Sequence, residues 1–389
     1  MKSENKASLT FLEAAGIIVG HGVGAGILAV PYLAAHNSLR EIILILLFCA
    51  AFNIILHLLI AELSLNNGGA QFVKCFEREL FAGRLKKALT WTAFILMGSS
   101  VIVNVVAYLT GAAEVFYSWS GGTVSLFAGK IIFYAVCAGI VFFGLKLVGI
   151  CEKYAVGAMA AVVALLFILA VSGNGNAFPS SELRFRDIGN ALALYSQVSF
   201  SLSAVMSTPQ LVKGLNGDVK RIRAAVIAGI AVNALLIFFV TLTTLIGCGS
   251  EITKRGALVD LAEALGGRIR IIGYVFQLLA LATSFWTNTL NLRDIIGEQT
   301  KWSDRLSWFA ASFPCLLLSF IGLSDFVSLA RFAGIIQVVT GLGIILAYAF
   351  SRKRVGRSDI LGLFGARAFR ITVAVCTLLA TVGSIVSVS

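Results

Sequence analysis

The chain has 389 residues, of which 58% are hydrophobic and only 13% charged, and its mean hydropathy is +0.93. An ordinary soluble domain carries about 25% charged residues, so this composition excludes a soluble enzyme or nucleic-acid-binding module and describes a polytopic membrane protein. The formal net charge of +12 is spread through short polar connections, as a topology signal and not a patch for nucleic acid.

Eleven apolar windows recur, each matched to a hydrocarbon core about 30 Å thick. They fall near 9–34, 42–65, 88–118, 124–145, 149–171, 188–212, 222–247, 268–292, 305–322, 326–350 and 368–388. The first contains GIIVGHGVGAGILAVPYLAAHNS, residues 16–38, with five glycines from Gly16 to Gly26. Each glycine weakens a helix by about 1 kcal/mol relative to alanine, so this span is expected to be interrupted. It is too long for a signal-peptide core and is read as a membrane segment. His21 sits inside the glycine run, either as a proton carrier or as an ordinary hydrogen-bonded histidine.

The second window ends with Glu62 in apolar surroundings, which calls for a partner or a proton unless the side chain snorkels to the interface. Residues 70–87, AQFVKCFERELFAGRLKK, space Phe72, Phe76 and Leu80 by four among charges and read as an interfacial amphipathic helix. On the third window Asn104 and Tyr108 lie one turn apart and share a face, either as packing residues or as a pocket wall where the Tyr108 hydroxyl meets a carboxylate. Glu114 and Arg331, in the outer halves of the third and tenth windows, either gate a vestibule or face water and headgroups. The sixth window reads ALYSQVSFSLSAVMSTPQLVKGL, with five serines between Ser196 and Ser207 followed by Thr208 and Pro209. Hydroxyls compete for backbone carbonyls and proline removes an internal bond, so this helix too is poorly held at its centre. The seven cysteines form no CxxC pair and are read as packing residues, and two membrane histidines without a Cys or carboxylate cluster make no metal site.

The first and sixth windows begin 179 residues apart, at 9 and 188, and the third and eighth repeat that offset when the eighth is counted from Gly267, one residue before its window. A five-helix unit over 9–171 therefore recurs over 188–350, with one additional span at 368–388. Five is odd, so the second copy enters from the opposite side, as an inverted repeat. Both units open with a breakable helix. Unwound backbone is tolerated in a membrane only where protein or a cavity surrounds it, and there its N–H groups can meet a carboxylate and its carbonyls an amine or a cation. Of the 31 Lys and Arg, 22 fall in connections on the N-terminal side and 7 on the other, which orients the chain in the cell membrane with its N-terminus cytoplasmic and its C-terminus external.

GHGVGAGILAVPY, residues 20–32, resembles the first-helix signature of the amino acid/auxin permease group, and LHLLIAELSLNNGG, 56–69, resembles the end of that group's second helix. ATSFWTNTLNLRDIIG, 282–297, is similar to the eighth helix of bacterial aromatic amino acid permeases of the tryptophan/tyrosine type. The resemblance covers roughly 9–350. It implies an all-α, LeuT-like fold of eleven transmembrane helices, with broken helices 1 and 6. Substrate would lie against Val23, Gly24, Ala25 and Gly26 of the first break and Phe200, Ser201, Leu202 and Ser203 of the sixth. It also implies a sodium ion held by carbonyls of Gly20, Val23 and Ala280 and by the hydroxyls of Thr283 and Ser284. The alternative for those two hydroxyls is a bond one turn back in their own helix. Ile27 replaces the amide that would serve a second sodium. Relatives of the tryptophan/tyrosine type equally imply a proton in place of sodium, with His21 or Glu62 as carrier.

The expectation is a symporter, driven by a sodium or proton gradient, that imports a neutral, aromatic or large amino acid by alternating access. The bilayer and the amino acid are its expected partners, and no cofactor is expected. A channel of the same fold is the first rival, although no selectivity-filter loop stands between helices. A non-transporting amino acid sensor is the second. An enzyme is not expected: HExxH, GxSxG and P-loop motifs do not occur in the sequence.

Overall fold

The computed structural model describes residues 8–24, 26–173, 187–249, 252–253, 260–261, 267–321, 326–356 and 360–384. Its helices, in chain order, are α1 (Phe11–Val23), α2 (Gly26–Ala34), α3 (Leu39–Asn66), α4 (Phe72–Glu79), α5 (Lys86–Trp119), α6 (Leu126–Phe142) and α7 (Leu145–Gly173). Then come α8 (Ile188–Ser201), α9 (Thr208–Gly214), α10 (Val219–Cys248), α11 (Gly267–Thr300), α12 (Asp304–Phe320), α13 (Phe326–Val355) and α14 (Arg367–Gly383). Among the described residues there is no strand.

Local chemistry starts several of these helices. Glu13 accepts from the Thr10 N–H at 2.8 Å while the Thr10 hydroxyl accepts from the Glu13 N–H at 3.3 Å, and Ser38 with Glu41 repeats this reciprocal cap on α3. Ser125, Asp187, Asp218 and Ser303 cap α6, α8, α10 and α12.

The surface is inside out by the standards of a soluble protein. Leu44, Leu47 and Phe48 on α3, Ile131, Ile132 and Val136 on α6, and Leu378 and Leu379 on α14 are exposed, while Glu62, Glu152 and Asn233 are fully buried. Such an exterior suits lipid. Among the described residues five helices are long and apolar enough to cross a membrane: α3, α5 with the turn before it, α7, α10 and α11. Taking α1 and α2, whose axes diverge by 57°, as one bent span makes six.

At the centre lies α1, packed on α7, α10 and α11. From Glu13 to Val23 only His21 is not fully buried. Helix α5 leans along α11, and α14 covers α8, where the Tyr195 hydroxyl donates to the Cys376 carbonyl at 2.9 Å.

Two expectations change in the fold. The amphipathic stretch 70–87 is not one helix: α4 covers Phe72–Glu79, a 3-10 turn covers Gly83–Leu85 and Lys86 already opens α5, and Phe72 and Phe76 are buried against α5, α11 and α13. That apolar face is used up by protein and is not laid on lipid. The fifth span begins at Leu145, four residues earlier than its hydropathy window, which places Glu152 two turns inside the helix instead of at its mouth.

Candidate functional site

Helix α1 stops at Val23 and α2 begins at Gly26, the break anticipated from the glycine run. The structure assigns each glycine beside it a separate neighbour. A Cβ on Gly20 would stand 1.7 Å from Glu152 Oε2 and 2.9 Å from Thr283 Cβ. On Gly22 it would meet Asn233 Nδ2 at 2.2 Å, on Gly24 the Ser284 Oγ at 2.7 Å, and on Gly26 the Ser201 Oγ at 2.7 Å. The glycines are notches through which α7, α10, α11 and α8 press polar groups onto the first break.

The second break is built differently. Helix α8 ends at Ser201, a 3-10 turn spans Val205–Ser207, and α9 follows with Pro209 in its first turn, where a missing N–H costs nothing. Side chains from other helices hold the gap. The Ala204 N–H donates to His57 Nε2 of α3 at 2.8 Å, and Asn233 Nδ2 of α10 donates to the Ser201 carbonyl at 2.9 Å. Because His57 Nδ1 lies 2.6 Å from the Asn53 carbonyl, it carries the proton and leaves Nε2 free to accept. Ser207 Oγ lies 2.8 Å from His21 Nδ1 and accepts from Asn291 Nδ2 at 3.2 Å. The two breaks are joined directly: Gln197 Nε2 donates to the Gly26 carbonyl at 2.9 Å.

Most candidate residues converge here. Val23, Leu202 and Ser201 are buried at the breaks, Ser203 is half-buried, and Phe200 is half exposed with its ring edge beside Gly26. Tyr108 of α5 meets the side chains of Ser284 and Asn288 on α11, with Asn104 half-buried one turn away. Ala25 lies outside the described residues, as does the side chain of Arg331. Thr283 Oγ1 donates to the Ala280 carbonyl at 3.0 Å within its own helix, whereas Ser284 Oγ crosses to the Gly20 carbonyl at 3.4 Å. Glu62 lies elsewhere: its oxygens accept from the Tyr348 hydroxyl at 3.0 Å and the Leu361 N–H at 3.2 Å, and Arg352 donates to that same hydroxyl at 2.9 Å.

Sequence reasoning passed over three residues near the breaks, Asn233, which holds the second, Gln197, which bonds from α8 to the first, and Glu152, and it weighed His57 only as a metal ligand and not as a holder of the second break. The Glu152 carboxyl is fully buried where α1, α7 and α11 meet, and neither oxygen has a hydrogen-bond partner. A lone acid inside an apolar run is the available signal, with Lys153 next to it pointing the other way, to an interface. The oxygens gathered around Gly20, from the Gly20 carbonyl, Ser284 and this carboxyl, are hard donors.

Comparison with known proteins agrees with this architecture. The tryptophan/tyrosine permease family matches residues 7–383. Glutamine transporter 2 of Aliivibrio fischeri is 22% identical over 359 residues, which is 87% of this chain and 88% of that protein. The crystal structure of MhsT in complex with L-phenylalanine superposes with a TM-score of 0.72 at 17% identity, covering 98% of this chain and all of that one. Mhp1, a nucleobase-cation-symport-1 family transporter in a closed conformation with bromovinylhydantoin bound, gives 0.66 at 14% identity, covering 98% and 91%. These two likenesses show a helical, LeuT-like fold.

Proposed function

Because the chain belongs to the tryptophan/tyrosine permease family, membrane transporters and not enzymes, we propose that it is a cation-coupled symporter importing a neutral amino acid with a large, aromatic side chain by alternating access. The observation that carries this reading is the pair of facing helix breaks, α1/α2 and α8/α9, tied by Gln197 and lined by glycine, serine and open backbone. The transport unit is two inverted repeats, 9–171 and 188–350, plus the span 368–388, making eleven spans with the N-terminus inside. The packing supports this exchange of roles: α1 lies on α10 as α8 lies on α3, the pairing expected when first and second spans swap with sixth and seventh.

The amino acid's carboxylate is received by backbone at Val23, Gly24, Ala25 and Gly26 with the Tyr108 hydroxyl, its amine by carbonyls at Phe200, Ser201, Leu202 and Ser203, and Asn104 stands at the side. Small residues at Ser201, Ser203, Ala204 and Ser207 leave volume for a ring. A charged substrate side chain would lie unpaired there, at considerable cost. MhsT, with its bound L-phenylalanine, shares the fold. The name of the Aliivibrio relative favours a second reading, glutamine, whose amide would bond the same serine hydroxyls.

Coupling is assigned to the contact of α1 with α11, through Gly20, Val23, Ala280, Thr283 and Ser284. His21 and Glu62 are the alternative carriers should the ion be a proton; Ser207 already engages the first, and Tyr348 and Leu361 the second. Counterflow in proteoliposomes tests the reading. Unlabelled tryptophan, tyrosine or phenylalanine inside should accelerate entry of the labelled amino acid. Preference for glutamine would move the assignment to the second reading. Binding without exchange would make the protein a sensor, and flux without acceleration a channel.

A further inference from the structure

We propose that Glu152 supplies the negative charge of the coupling-cation site, as the carboxylate that the neutral oxygens of α1 and α11 lack. The inference rests on the transporter reading above. Glu152 is fully buried, neither carboxylate oxygen has a donor, and Oε2 occupies the notch that exists only because residue 20 has no side chain. A carboxylate cannot be held bare in such a place, so a positive charge accompanies it whenever it is ionised.

Among the described residues no neighbouring side chain provides that charge. Lys153, next in sequence, sits over the Tyr154 ring with its ammonium 4.4 Å from the centroid. Lys146, six residues earlier on α7, donates to Glu13 at 2.6 Å and to the Ser8 carbonyl at 3.1 Å. On α1 the ionisable side chains are that same Glu13, already paired, and His21, turned to Ser207. From α6 and from α7 itself the thiols of Cys137 and Cys151 come close enough to feel Glu152. Helix α11 brings Thr283, and Arg293 and Asp294 farther along it pair with each other at 2.9 Å. The ionisable side chains of α10 (Lys220, Arg221, Arg223 and Cys248) stand at its ends.

What converges instead is oxygen. The Gly20 carbonyl is 3.4 Å from Ser284 Oγ, Thr283 lies against the same glycine, and Glu152 closes the third side from α7. One carboxylate among neutral hard donors balances one positive charge, so the ligand is a monovalent cation, sodium or a proton. Its position explains how occupancy reaches the substrate. Glu13 and Lys146 clamp the cytoplasmic ends of α1 and α7, and Glu152 lies about two turns deeper on the same pair of helices. With the cation present, α1 stays seated on α7. Once it leaves for the cytoplasm, the bare carboxylate must take up water, which parts the two helices and opens the first break inward.

The test uses the full chain, purified and in vesicles. Sodium chloride against choline chloride should raise the wild-type melting temperature by about 3 °C or more, and Glu152→Gln should lose that rise while still melting cooperatively. In vesicles Glu152→Gln should lose gradient-driven accumulation at least tenfold, Glu152→Asp should recover part of it, and Glu77→Gln, far from the site, should keep it. Sodium-dependent stabilisation and uptake identify sodium as the cation. A wild type that ignores sodium and follows an inward proton gradient, with that dependence lost in Glu152→Gln, identifies a proton at the same carboxylate. A Glu152→Gln protein that accumulates substrate as the wild type does overturns the proposal. Wild-type counterflow, run in parallel, reports the transporter reading separately, since it needs no gradient.

Discussion

The two helix breaks face each other and are stabilised in opposite ways. At the first, side chains are absent: Gly20, Gly22, Gly24 and Gly26 admit Glu152, Asn233, Ser284 and Ser201 against the backbone. At the second, imported side chains do the holding, with His57 on the Ala204 N–H and Asn233 on the Ser201 carbonyl. A notch tolerates movement of whatever fills it, whereas a hydrogen bond to a buried backbone group fixes position and is costly to leave unmade. The first break is thus suited to respond to a ligand or ion, and the second to serve as the reference against which it moves.

The strongest way to break this comparison is to fill a notch. Gly24→Leu places carbon where Ser284 Oγ now stands, and substrate affinity should fall about a hundredfold or more, near 2.7 kcal/mol, while the protein still inserts and purifies. Wild-type affinity in a radioligand binding assay would remove the first break from the site. Next in size is His57→Ala, which leaves the Ala204 N–H unpaired at about 1–3 kcal/mol and should lower the melting temperature in detergent by a few degrees. His57→Gln should restore part of the loss; an unchanged melt in the alanine variant would show that this bond does not hold the second break.

Gln197→Ala severs the bond from α8 to the Gly26 carbonyl, leaving the Ser207–His21 contact between the two broken spans in place, and should weaken substrate binding about tenfold with little change in stability. An equal loss of stability would mean that the two breaks form one rigid unit. The smallest effect is expected from Thr283→Ala, because that hydroxyl is satisfied inside its own helix. Its stability in choline, read from the melt, should match the wild type within about 0.5 kcal/mol. A gap that opens only on adding sodium would identify the hydroxyl as a cation ligand.

Much of this was legible along the chain. The glycine run of 16–26 and the serine, threonine and proline run of 196–209 announce weak helix centres through local propensity, which needs no knowledge of neighbours. Thr283 and Ser284 were singled out through the resemblance to LeuT-like transporters alone, because hydroxyls in an apolar helix ordinarily bond one turn back and carry no site signal by themselves. Glu62 stood out as an acid that either needs a partner or a proton or snorkels to the interface, and the sequence does not say that Tyr348 and Leu361, nearly three hundred residues later, meet it. The stretch 70–87 was misread in extent because amphipathic spacing reports only that a face is apolar, and α13 turned out to cover it.

Composition, hydropathy windows and residue propensities are sums over neighbours in sequence, and by themselves they determined that this protein lies in the membrane as a set of helices, two of them weak at the middle. Whether an acid is paired is decided by what other helices bring to it. Glu62 and Glu152 are both acids in apolar stretches and are alike on that reading, yet the fold surrounds the first with a hydroxyl and a backbone N–H and leaves the second without a donor against Gly20. Only the tertiary structure distinguished them, because an unpaired charge is a property of contacts from α1, α6 and α11 and not of the helix that carries it.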